Sequence, residues 1–162
     1  MEKYIEQYKI IHNTTFYGKS GIKLKSIIQS VIDFKPESIL DYGCGRCMLI
    51  DALEGDFIRY RYDPAIDKYS KCIDTADLVI CTDVLEHIPI EYLDAVLIHI
   101  KSISVKCIFA ICTVKACKVL PNGDNAHSTV ENINWWCDKI KQYFSTAILV
   151  KKFKNKFICK TW

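Results

Sequence analysis

Glycine and proline are scarce, six and four in 162 residues, and no apolar run approaches the ~20 residues that a membrane-spanning helix needs. The first scarcity excludes collagen-like repeats and low-complexity linkers, and the second excludes a membrane-spanning helix, so no membrane partner is expected. The longest apolar stretches, such as Leu78-Val79-Ile80-Cys81 and Val96-Leu97-Ile98, are soon interrupted by charge or histidine. A large excess of either charge is also missing. The 22 Lys and Arg against 19 Asp and Glu leave a net charge of +3, too small by itself to imply a nucleic-acid partner. Nor do the opening residues, Met1-Glu2-Lys3-Tyr4-Ile5-Glu6-Gln7-Tyr8, hold a continuous apolar stretch, so they read as neither signal nor transit peptide. The mature chain is expected to start there.

Hydrophobic residues make up 50% of the chain and aromatics 12%, enough for one substantial core. A single domain over 1–162 is expected, with 1–35 as an N-terminal segment and helix and 36–162 as the core. Nine cysteines are an odd number at irregular spacings, which reads as reduced thiols in a cytoplasmic protein rather than a disulfide framework. Cys44 and Cys47 form a C-x-x-C pair, yet no second such pair exists, so no metal site is expected from them.

Two periodicities alternate along the chain. Leu24, Ile27, Ile28, Val31 and Ile32 recur at helical spacing, and Pro36 stops that helix. Ser38 to Tyr42 reads as a buried strand, 48–54 as a short helix and Phe57 to Tyr62 as an alternating strand. A strand over Leu78–Thr82, a helix carrying Ile90, Leu93, Val96, Leu97, Ile100 and Ile103, and a strand over Cys107–Cys112 follow. After a polar loop at 121–131, Ile133, Trp136, Ile140 and Phe144 mark another helix, and Ala147–Val150 and Phe157–Cys159 form a closing hairpin. Apolar strands separated by amphipathic helices predict an α/β, Rossmann-like, mostly parallel sheet with helices on both faces and a C-terminal antiparallel hairpin.

In such a sheet a ligand sits beyond the carboxyl ends of the strands, and a glycine turn after the first strand lets the backbone approach it. Asp41-Tyr42-Gly43-Cys44-Gly45 occupies that place. Asp63, twenty residues after Gly43 and at the end of the next strand, suits a carboxylate that accepts from ribose hydroxyls. Arg46-Cys47-Met48 carries no third glycine of the dinucleotide pattern, and Asp41 would repel a pyrophosphate but suit a cationic amino-acid end. A nucleoside with such an end is the expected ligand.

These residues resemble class I S-adenosylmethionine-dependent methyltransferases, in the small form common in bacteria and their phages. Ile39 to Gly45 looks like the family's first motif, Tyr62-Asp63-Pro64 like its ribose-binding acid, and the run from Asp77 to Ile88 like its fourth-strand motif. The likeness extends from about Tyr17 to the terminal hairpin. It implies S-adenosylmethionine as cofactor, with Asp41, Tyr42, Gly43 and Gly45 at the methionine end, Asp63 and Pro64 at the nucleoside, and Asp83 beside the cofactor. By the same resemblance Tyr17 and Lys19 close over it. The implied activity is methyl transfer to an acceptor, favoured as a small molecule. A non-catalytic cofactor-binding module and a nucleic-acid methyltransferase are the alternatives.

Two departures stand out. Cys47 occupies the place of the family's third glycine. Only thirteen residues lie between Asp63 and Asp77, too few for a crossover helix and another strand, so the sheet is expected to be reduced around the third strand. Pro64-Ala65-Ile66 and the loop near Asp74 would then build the adenine side. The candidate catalytic residues are His87, which follows the fourth strand at the mouth of the site, and His127, in the long 121–131 loop. Helix capping and an ordinary surface turn are their bland alternatives. Trp135 and Trp136 are expected mainly in the core. Lys151, Lys152, Lys154, Lys156 and Lys160 read either as protection for an exposed sheet edge or as a contact for nucleic acid.

Overall fold

The computed structural model describes residues 1–14 and 20–162, so Tyr17 and Lys19 lie outside the described residues. Six strands form one mixed sheet: β1 (Ser38–Tyr42), β2 (Ile58–Tyr62), β3 (Leu78–Thr82), β4 (Cys107–Cys112), β5 (Ile148–Lys152) and β6 (Lys156–Lys160). Their order is β2-β1-β3-β4-β6-β5. The first four run parallel, while β6 pairs antiparallel with both β4 and β5. This is the Rossmann-like architecture that the alternating periodicities predict. The reduction is located as well. From Asp63 to Asp77 the chain forms no strand, only a single 3-10 turn at Asp67–Tyr69, and β2 is the sheet edge.

Period-two alternation sorts the strand residues between two cores. Ile39, Leu78, Ile80, Ile108, Ala110 and Ile158 face one side, under α2 (Lys25–Val31) and α3 (Leu49–Ala52). Leu40, Tyr42, Val79, Cys81, Phe109 and Phe157 face the other, under α4 (Ile90–Ile103) and α5 (Ile133–Lys141). Trp136 is fully buried in this second core, with Trp135 half-buried against it at a ring separation of 5.1 Å. Asn132 starts α5 by accepting from the backbone N–H of Trp135.

A helix not anticipated from the sequence, α1 (Glu2–Thr14), precedes all of this. Its Ile11 packs with Leu120 and Ala126 of the loop after β4. The loop is built by its own polar groups: Asn125 accepts from the N–H groups of Ala116 and His127, and Val119 bridges to Asn125. Gln7 accepts from Asn122 N–H and Tyr8 donates to the Ala126 carbonyl, so α1 and the loop are joined. All nine cysteines are free thiols, and no helix among the described residues is long and apolar enough to cross a membrane.

Candidate functional site

A cavity of about 300 Å³ opens at the carboxyl ends of β1, β2 and β3. Its floor is the turn after β1. Gly43 and Gly45 both have positive φ, 72° and 54°, a region that an L side chain adopts only at a cost. The turn folds back on β2, with the Gly43 and Cys44 N–H groups both donating to the Tyr62 carbonyl.

Asp63 follows β2 and is 6% exposed. Its two carboxylate oxygens accept from Gly45 N–H and from Ala65 N–H, each at 2.8 Å. One carboxylate thus ties the first turn to the second and reaches the cavity wall. Beyond it Pro64 and Ala65 line the cavity with Tyr42, Tyr62 and His99. The Tyr42 hydroxyl lies 2.8 Å from His99 Nδ1, and the Tyr42 and Tyr62 rings are 5.0 Å apart. This aromatic wall stands beside the shortened 63–77 segment, whose Cys72, Ile73 and Ala76 pack against the same core. Of the segments placed on this side from the sequence, Pro64 and Ala65 line the cavity, whereas Ile66 and the loop around Asp74 do not.

Asp41 is placed differently from Tyr42. It has the strand parity of Ile39 and lies behind the turn, 2% exposed, with its Oδ2 lacking a partner among the described residues. Burial, with the nearby Asp63 and Asp51 adding repulsion against the opposing attraction of Arg61, raises its pKa to about 7. Arg61 is itself paired with Asp51. Cys47, in the position of the missing glycine, is half-buried, and its sulfur sits 3.2 Å from where a Cβ on Gly21 would stand. The small side chain at 47 and the bare backbone at 21 accommodate each other.

Asp83 follows β3 and is the one non-glycine among the described residues with positive φ, at 56°. Such backbone strain collects at functional sites. Its carboxylate pairs with Lys156 from β6, and Val84 beside it lines the cavity. The lysine-rich hairpin is therefore partly committed: Lys156 to Asp83 and Lys160 to Asp33, with Lys151, Lys152 and Lys154 exposed.

His87 lies in the cavity wall, and the ring of His127 is 4.8 Å from it outside the lining. His87 Nδ1 lies 2.7 Å from the Ala126 carbonyl, and a carbonyl can only accept, so Nδ1 carries the hydrogen and Nε2 the lone pair. Burial of the ring, against the opposing pull of its bond to the Ala126 carbonyl, pushes its pKa down to about 4, which keeps it neutral. Next to it Glu86 is wholly buried. Burial and the neighbouring Asp83 raise the Glu86 pKa to about 8. Tyr4, Ile5, Tyr8 and His12 of α1 complete the lining, and none of them was assigned from the sequence. Their i, i+4 recurrence (Tyr4, Tyr8, His12) is the signal that marks the face.

These titrations set the sign of a pH dependence. Asp41 and Glu86 hold protons to about 7 and about 8 when folded, against 3.8 and 4.5 ordinarily, so their contribution to stability is lost as pH rises through the folded values. His87 and His12 act the other way, below the ordinary 6.5, where the unfolded imidazoles take up protons that the folded ones refuse. Between pH 6.5 and 8 the carboxyl effect dominates. The ligand-free chain should therefore lose stability as pH rises across that window, by up to about 1.4 kcal/mol per pH unit for each carboxyl still protonated. Urea unfolding at pH 6.5, 7.2 and 8 checks this, and a flat or rising stability contradicts it.

No protein-family model matches the chain, and no curated protein matches it in sequence. Solved structures do match in fold. The DhpI–SAH complex superposes with a TM-score of 0.67 at 10% identity, covering 98% of this chain and 94% of that one. The 1,6-didemethyltoxoflavin-N1-methyltransferase of Burkholderia thailandensis gives 0.64 at 11% identity, covering 99% and 86%. The small RNA methyltransferase HEN1 gives 0.63 at 11% identity, and this chain covers only 25% of its length while 88% of this chain is matched. At these identities the likeness is one of fold, and the fold is the Rossmann-like one of class I methyltransferases.

Proposed function

We propose that this chain, which has the class I methyltransferase fold, binds S-adenosylmethionine and transfers its methyl group to a small-molecule acceptor. The observation that carries the reading is the Asp63 carboxylate, held by Gly45 N–H and Ala65 N–H at the cavity wall after β2. Each of its oxygens keeps a further lone pair for a ribose hydroxyl. The residues present fit the cofactor: bare backbone at Gly43 and Gly45, an acidic residue at the end of β2, and an apolar, aromatic wall beyond it. When bound, S-adenosylmethionine supplies a sulfonium methyl group open to in-line displacement by an acceptor lone pair.

The chain's own part is positioning, which such a displacement needs more than acid–base help. Asp63 and Pro64 fix the nucleoside, while Gly43, Gly45 and Asp83 border the methionine end. Asp41 sits behind the turn and supplies a carboxyl group whose ionisation a nearby cation would favour. His87, held neutral, lines the same cavity beside the space for the acceptor. Helix α1 and the loop joined to it exclude water from the reaction. The small-molecule reading rests on that cover, since Tyr4 and Tyr8 from α1 line the same cavity. Free thiols in all nine positions support a cytoplasmic location.

Calorimetric titration of the full chain with S-adenosylhomocysteine tests the cofactor assignment. One equivalent should bind. Absence of binding by both S-adenosylhomocysteine and S-adenosylmethionine refutes the reading. Release of S-adenosylhomocysteine over pools of small hydroxyl- and amine-bearing compounds, against pools of RNA, then tests the acceptor class.

A further inference from the structure

We infer that Glu86, His87 and His127 form a binding site for a divalent metal ion of the Mn²⁺, Co²⁺, Zn²⁺ type. One carboxylate oxygen and one ring nitrogen from each histidine lie within 4.8 Å of one another, the single such grouping of three among the described residues. The cysteine pair considered from the sequence does not take part in it.

Three further features favour a cation. Glu86 is wholly buried; its Oε1 accepts from Cys112 N–H at 2.9 Å, while Oε2 has no partner among the described residues. A buried carboxyl oxygen without a partner is costly, and a bound cation would relieve that cost by holding the group ionised. Both imidazoles are also oriented as ligands usually are. His87 Nδ1 lies 2.7 Å from the Ala126 carbonyl and His127 Nδ1 lies 2.5 Å from the Val114 carbonyl, so each Nδ1–H donates to a backbone carbonyl, the arrangement usual for a metal-bound imidazole. Finally the three residues come from two segments that the fold fastens together. Thr129 N–H donates to the Glu86 carbonyl and Thr129 Oγ1 to the Ile88 carbonyl, holding the His127 loop against the turn after β3.

Two imidazoles and one carboxylate suit borderline first-row ions rather than calcium or magnesium, which prefer all-oxygen cages. Three protein ligands leave at least one position for water. His87 is shared with the cavity, so the ion would stand at the edge of the space assigned to the acceptor.

The test uses the full chain, kept reduced, titrated with Co²⁺ and followed by visible absorption, with Mn²⁺ binding followed by electron paramagnetic resonance. Neither cofactor nor acceptor is needed, so the outcome stands apart from the methyltransferase reading. One equivalent of Co²⁺ should bind with a nitrogen and oxygen spectrum lacking thiolate charge transfer, and His127→Ala and Glu86→Gln should each weaken binding about tenfold or more. His127 is half-buried in a loop, so its variant is expected to fold and decides the test should Glu86→Gln not fold. No stoichiometric binding, a thiolate spectrum, or undiminished affinity in either folded variant overturns the proposal.

Discussion

Asp63→Ala is expected to lower the affinity for S-adenosylhomocysteine at least about a hundredfold, since hydrogen bonds to a charged group contribute about 1.5–3 kcal/mol each and a tenfold change is about 1.4 kcal/mol. Two effects add. The ribose hydroxyls lose their acceptor, and the N–H groups of Gly45 and Ala65 lose theirs. The second effect also loosens the turn that receives the rest of the cofactor, and it should appear without ligand as a lower melting temperature. Asp63→Asn separates the two. Its single carbonyl oxygen can serve one of the N–H groups but not both, so its affinity should fall between wild type and Asp63→Ala. Calorimetry on the three proteins decides the matter, and an unchanged affinity in the folded alanine variant would remove Asp63 from the site.

Gly43→Ala should be the more damaging change to the fold itself. At φ 72° an alanine meets the left-handed penalty of about 1–2 kcal/mol. Its Cβ would also stand 2.4 Å from Val84 Cγ2 and 2.8 Å from Cγ1. The obstacle is a β-branched side chain bound to one rotamer, and overpacking of that sort adds about 1–3 kcal/mol. Destabilisation of about 2–5 kcal/mol is therefore expected in urea unfolding, with cofactor binding lost as the turn and the Asp83-Val84 segment move apart. Val84→Ala in the same chain should recover the clash portion and leave the backbone portion. A double-mutant cycle without that coupling would show that Val84 does not set the close approach.

Much of the frame was legible because strand and helix periods are strong along this chain. The spacing of Ile90, Leu93, Val96, Leu97, Ile100 and Ile103 marks α4, and the apolar runs mark β1, β3 and β4, all close to their observed bounds. The reduced sheet was legible as arithmetic, since thirteen residues cannot hold a crossover. The helix α1 was not. Glu2, Lys3, Glu6, Gln7 and Lys9 make its mean hydropathy low, and its stripe of Tyr4, Tyr8 and His12 is apolar only by the faces of rings. Its partner, the loop around Asn125 and Ala126, is a hundred residues away, so no local pattern pairs them. Asp41 illustrates another limit. Motif position alone set it beside the ligand, whereas strand parity turns it behind the glycine turn. The Glu86–His87–His127 grouping joins neighbours in sequence to a residue forty positions on, which the bonds of Thr129 and of the Ala126 carbonyl bring together.

The position of β6 has a bearing on how the protein is made. This strand is synthesised after β1 to β5, yet it lies between β4 and β5, and it carries the Lys156 that pairs with Asp83. A nascent chain that has exposed every glycine, acid and histidine of the site still lacks the cation that steadies Asp83 in its left-handed turn. It also leaves the edge of β4 open to wrong partners. Assembly of the site thus waits on a late segment, and the ribosome-bound intermediate is the form most open to misassembly.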